Sequence, residues 1–132
     1  MASIHKDVRI EAPARRVWEA MRDVGALHTR LVVGFVLECR LEGEVRHLLF
    51  ANGVQASERI VSVDDERLRV AWSATGPRLS HHNASAQVFD EPDGRSRVTW
   101  TADLLPHDMA PAIATMIDQG LAAMKRTLET GH

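Results

Sequence analysis

The sequence is short of the features that announce a chemistry or a compartment. It has one cysteine, Cys39, so no internal disulfide is available to hold the fold. Cys39 sits in Val36-Leu37-Glu38-Cys39-Arg40-Leu41 with no activating base in view, so it is expected to be a small half-buried hydrophobe rather than a reactive thiol. There is no basic run, and 16 basic against 18 acidic residues leave a net charge of −2. That balance removes any bulk electrostatic reason for nucleic acid or an anionic membrane as partner. No apolar run approaches the roughly 18 residues that would span a bilayer. The residues from Met1 to Asp7 lack the apolar centre of a signal peptide, so the expectation is a cytoplasmic protein without membrane insertion. Linkers, internal repeats and low-complexity segments are also missing, and residues 1–132 are expected to form one domain around one core.

What the sequence does have is organised around its last stretch. From Pro106 to Glu129 the residues Met109, Ile113, Met116, Ile117, Gly120, Leu121, Met124 and Leu128 recur at helical spacing, which predicts one long amphipathic helix. Asp118, Gln119, Lys125, Arg126 and Glu129 fall on the opposite side and are expected to stay in water. Asp108 is a candidate N-cap, and a helix beginning at Pro106 would be kinked at Pro111.

Ser3 to Glu11 alternates Ile4, Val8 and Ile10 with polar residues, Lys6 being the exception on the apolar side, and reads as a first strand. Ala12-Pro13 then opens a helix carrying Val17, Trp18, Met21 and Val24 and closed by Gly25, and Ala26 to Val32 reads as a second, shorter one. From Phe35 the period becomes 2. Strands are expected at Phe35–Glu42, Glu44–Ala51, Val54–Val63, Arg67–Ala74, His81–Asp90 and Arg95–Leu104. Gly43, Asn52-Gly53, Asp64-Asp65-Glu66 and Asp93-Gly94 supply the reversals, and Thr75-Gly76-Pro77 separates the fifth strand from the sixth. Short reversals between successive strands imply an antiparallel meander.

With Ala12-Pro13-Ala14-Arg15-Arg16-Val17-Trp18-Glu19-Ala20-Met21 directly after the first strand and a long helix at the end, this order resembles the START/Bet v 1-like (SRPBCC) superfamily, and within it the bacterial polyketide cyclase/dehydrase-type proteins. The resemblance implies an α+β helix-grip fold. In it a seven-stranded antiparallel sheet wraps round the C-terminal helix, two short helices follow strand 1, and an apolar cavity lies between sheet and helix. It implies no particular reaction, because one fold hosts many functions.

Candidate site residues follow from strand parity. A symmetric Asp93-Gly94 reversal would set Asn83 beside Asp103 and His82 beside Leu104. His82, Ala84, Ala86 and Val88 then face the helix together with Val98, Trp100, Ala102 and Leu104. An inward His82 is the candidate general acid or base; otherwise it is a histidine at the cavity rim that orients a ligand's polar end. Adjacent His81 and His82 face opposite ways, which argues against a shared metal, and no cofactor is implied. Trp72 and Trp100 beside small residues, with Met109, Met116 and Gly120 on the helix, are candidate cavity lining. His28 is expected near the mouth, and Asn83 as a polar helper. The functional expectation is a binder of a small apolar or aromatic molecule. The alternatives are a cyclase or dehydratase working through His82, and a protein-interaction module with a vestigial cavity. A homodimer is left open.

Overall fold

A computed structural model describes residues 2–76 and 78–130 of the chain; Pro77, placed by the sequence in the break before the sixth strand, lies outside them. The period-2 segments form seven strands: β1 (Ala2–Ile10), β2 (Val36–Glu42), β3 (Val45–Phe50), β4 (Gln55–Asp64), β5 (Arg69–Thr75), β6 (His81–Glu91) and β7 (Arg95–Leu105). They make one antiparallel sheet in the order β1-β7-β6-β5-β4-β3-β2, a meander from β2 to β7 with β1 laid against its last strand.

The reversals work as their residues dictate. Gly53 at φ 86° and Asp93 at φ 65° occupy the left-handed region that tight turns need. Asp64 accepts the backbone N–H groups of Glu66 and Arg67, both at 3.0 Å, and the turn continues through Leu68 at φ 55°. For that reason β5 starts at Arg69 and not at Arg67. Register shifts between Val36 and Glu38 in β2 and between Ile60 and Ser62 in β4 bend the sheet around its concave face.

The symmetric pairing of the last two strands is present, with His82 opposite Leu104 and Asn83 opposite Asp103. Ala84, Ala86, Val88, Val98, Ala102 and Leu104 are all buried on the concave face.

Helix α1 (Ala14–Arg22) starts directly after Pro13 and buries Val17, Trp18 and Met21. Its exposed end is tied to the β4–β5 reversal. Asp65 accepts the Trp18 indole N–H at 2.9 Å and Arg22 Nε at 2.8 Å, and the Arg22 bond with the Trp18 bond holds its carboxyl below the usual carboxylate range. The second short helix is a single π-helical turn, Leu27–Leu31, rather than a span from Ala26 to Val32.

The terminal helix, α2, runs from Ala110 to Thr130 and not from Pro106. Pro106 follows a cis peptide bond, and His107–Met109 forms a separate 3-10 turn. Asp108 lies inside that turn and so is not the N-cap of α2. Pro111 then falls in the first helical turn, where its missing N–H has no intrahelical partner to lose, and no kink is needed. Ile117, Gly120, Leu121, Met124 and Leu128 are buried, whereas Met109, Ile113 and Met116 are only half-buried.

The polar side of α2 is also used. Lys125 Nζ donates to Arg9 O at 2.8 Å, Glu129 accepts the Glu11 N–H at 2.9 Å, and Lys6 Nζ stands 3.4 Å from Asp118. Lys6, the charged residue on the apolar parity of β1, thus reaches past the core to the helix. Lys125 and Glu129, expected to stay in water, fasten α2 to the end of β1.

Candidate functional site

α2 packs mainly along β1 and the π-helical turn rather than on the β3–β5 part of the concave face. The space between is a cavity of about 810 Å³, within the range of small-molecule sites. Its wall is mostly apolar, with Leu48, Trp72 and Trp100 from the sheet facing Ile113, Met116 and Ile117 from α2. Exposed lining residues at the β3–β4 turn (Asn52, Val54), the β5–β6 loop (Thr75, Gly76) and the first half of α2 (Ala112, Thr115) mark where it opens.

Besides the exposed Arg78, two buried charged side chains are built into that wall. Arg46 and Glu58 are directly opposite on β3 and β4, and 3% and 9% exposed. Arg46 Nε and Nη2 both lie 2.8 Å from Glu58 Oε1, and Nη1 donates to the Val24 carbonyl at 3.3 Å, beneath the loop after α1. The guanidinium carbon stands 5.3 Å from the Trp72 ring centre, a cation–π contact. Trp72 in turn meets Trp100 edge to face, with ring centres 5.7 Å apart. These bonds use three of the five N–H donors of Arg46.

His82 extends this pair into a row. Glu58 lies opposite Ala74 on β5. The regular β5–β6 pairing ends at Trp72 and Ala84, and one step further the Ala74 N–H donates to His82 Nδ1 at 3.0 Å while Ser73 Oγ donates to His82 O at 2.6 Å. Nδ1 is therefore an acceptor, and the neutral ring carries its proton on Nε2. Burial, partly opposed by nearby Glu58 and assisted by His81, lowers the His82 pKa from its ordinary value. Arg46, Glu58, Ala74 and His82 thus follow one another across four strands, a polar band in an otherwise greasy wall.

Solved structures of the same shape cover nearly the whole chain. An uncharacterised protein from Bacillus thuringiensis superposes with a TM-score of 0.86 at 18% identity, over 96% of this chain and 98% of that one. The protein XoxI from Bacillus cereus gives 0.86 at 20% identity, over 97% and 96%. The di-domain ARO/CYC BexL from the BE-7585A biosynthetic pathway gives 0.82 at 16% identity, over 98% of this chain and 47% of that one. No curated protein sequence matches. The sequence pattern of the family described as polyketide cyclase / dehydrase and lipid transport matches residues 1–129. The chain belongs to that family.

Membership in the polyketide cyclase / dehydrase and lipid transport family accounts for the helix-grip fold and an apolar cavity but assigns no role to a residue. Of the residues singled out from the sequence, Trp72, His82, Trp100, Met109 and Met116 all line the cavity. Gly120 lies beside it, not on it. A Cβ there would stand 2.8 Å from Trp100 Cζ3 and 3.2 Å from Phe35 Cε2, so its missing side chain admits those rings. His28 is on the π-helical turn whose Leu27 and Leu31 do reach the cavity, but its own ring is not in the lining, and its Nδ1 is buried with no hydrogen-bond partner among the described residues. Asn83 lies on the convex side in a shallow cleft with His81 and Asp103.

Arg46 and Glu58 were not anticipated, although a signal exists. Arg46 shares its parity with Leu48 and Phe50, Glu58 shares its own with Ala56 and Ile60, and the Asn52-Gly53 turn sets the two opposite each other. Cys39 is half-buried, its Sγ 3.8 Å from Val24 O, and burial pushes its thiol up, in keeping with a strand hydrophobe. No helix among the described residues is long and apolar enough to cross a membrane.

Proposed function

We propose that the protein holds a small, largely apolar molecule, lipid-like or polyketide-like, with an oxygen-bearing group on the polar band and the remainder against Trp72, Trp100 and the methionines of α2. The observation that carries this reading is the joint presence of a cavity of about 810 Å³ and a buried ion pair in its wall. A cavity meant only for hydrocarbon gains nothing from two charges that are costly to desolvate. A hydroxyl or carbonyl group can accept from the two uncommitted N–H donors of Arg46 or from His82 Nε2–H, and a hydroxyl can also donate to Glu58.

Tryptophan fluorescence titrations with 2-naphthol and naphthalene, compounds that differ by one hydroxyl, test this. Saturable quenching by both is expected, with 2-naphthol bound at least about tenfold more tightly, the equivalent of one good hydrogen bond. Equal affinities would remove the polar band from the proposal, and no saturable response from these or from a fatty-acid panel would remove the binding function.

One observation favours a second reading, a cyclase or dehydratase reaction: His82 stands in the cavity wall with its tautomer fixed. With Nδ1 engaged, the ring's available chemistry is donation from Nε2–H to a carbonyl oxygen as it gains negative charge. Loss of turnover with retained binding in His82→Ala would support that reading, and unchanged turnover would exclude His82 from it.

A further inference from the structure

Apart from Val36, which reaches the cavity wall, the edge formed by β2 lies away from the cavity. β2 is the last strand of the sheet, and one side of it pairs with no other described strand. Unpaired edges template association and are normally blunted by charges that repel an incoming strand. Here the charges alternate in sign. Glu38, Arg40 and Glu42 lie on the outer face opposite Leu49, His47 and Val45, and all three are exposed. Leu37 and Leu41 on the same strand are 51% and 47% exposed, and Val33 just before it is 46% exposed, which places three of the six exposed large hydrophobic residues among the described residues along this edge.

We propose that β2 pairs antiparallel with β2 of a second copy of this chain, about a two-fold axis passing beside Cys39, and so joins two sheets into one. The Val36 N–H is already bonded to Val32 O, so this register pairs Leu37 to Leu41 with the same residues of the second copy, centred on Cys39. It sets Glu38 opposite the partner's Arg40 and Arg40 opposite the partner's Glu38, two attractive cross-strand pairs from one symmetric contact. Shifting the axis to Glu38 sets two glutamates opposite each other. Shifting it to Arg40 sets two arginines together and each Glu38 against the partner's Glu42. Charge thus selects the register centred on Cys39 over its nearest face-preserving neighbours, and Val33, Leu37 and Leu41 lose water along the seam.

Sedimentation velocity of the full chain from low to high micromolar concentration tests this. A species of twice the 14.7 kDa chain mass is expected at the upper end, and a single-chain mass throughout would overturn the proposal. Arg40→Glu sets glutamates opposite each other twice and should weaken association at least about tenfold; association as strong as in the parent chain would overturn the pairing. Glu38→Arg combined with Arg40→Glu restores both attractive pairs and should restore the dimer, and failure to do so would overturn this register. The substituted side chains are exposed, and circular dichroism with thermal melting verifies that each variant keeps its fold.

Discussion

The two sides of the concave face solve different problems. On the side of β1, β7 and β6, Val98 and Leu104 are fully buried, and Gly120 in the middle of α2 brings Trp100 and Phe35 against the helix backbone. On the side of β3, β4 and β5, the helix is held off, its facing residues are half-buried, and the wall carries an ion pair. The first side is built like a protein interior, with apolar shapes that fit and one buried hydroxyl, Ser96 Oγ, that has no hydrogen-bond partner among the described residues. The second leaves apolar surface unpacked and keeps two charges dry. The same sheet therefore separates the packing that stabilises it from the surface that is left for a ligand.

The largest expected effect lies on the hollow side. Glu58→Ala would leave Arg46 buried without its carboxylate and should cost about 3–5 kcal/mol in urea unfolding. Replacing both, as Arg46→Met with Glu58→Leu, should be roughly neutral in stability while abolishing the preference for 2-naphthol. If the double variant is as unstable as the single one, the pair belongs to the core and the contrast between the two sides fails.

A second comparison comes from truncating one aliphatic side chain on each side. Leu104→Ala should lose about 2–5 kcal/mol. Met116→Ala, beside space that already exists, should lose under about 1 kcal/mol but change the affinity for aromatic ligands. Equal losses would mean that the cavity side is packed in solution.

The smallest effect concerns pH. The bond from the Ala74 N–H requires an unprotonated His82 Nδ1, and the folded-state pKa is lowered. The stability linked to His82 is therefore present in full above the unfolded value of about 6.5, and it is lost as pH falls below that value and through the lowered folded one. Urea midpoints at pH 7.5 and 5.5 should fall less in His82→Gln than in the parent chain. An equal fall would show that protonation at His82 is not linked to folding.

Much of the fold was legible because period-2 alternation and turn residues agree from Phe35 to Leu104, and the symmetric Asp93-Gly94 reversal fixed which way His82 points. The start of α2 was misread because Met109 continues the apolar spacing into the 3-10 turn, and periodicity cannot separate the two. Arg46 and Glu58 were missed for a different reason. A charge on an apolar parity is ordinarily a solvated residue at an edge, and only the pairing of β3 with β4 shows that each neutralises the other. Gly120 carried two readings until the position of the Trp100 ring was known, because a missing side chain looks the same in sequence whether it makes room for a ligand or for a neighbour.

The polar band also gives the cavity two unlike sides. Its donors and acceptor stand on the sheet wall, while Met109, Ile113 and Met116 on the opposite side offer sulfur and methyl groups. A flat ring compound lying between them meets hydrogen-bonding groups along one edge, and turning it over points the same oxygen at the methionines. Two positional isomers of one alcohol would fill the same volume and bury the same area, yet would differ in whether the hydroxyl meets the band while the ring lies on Trp72.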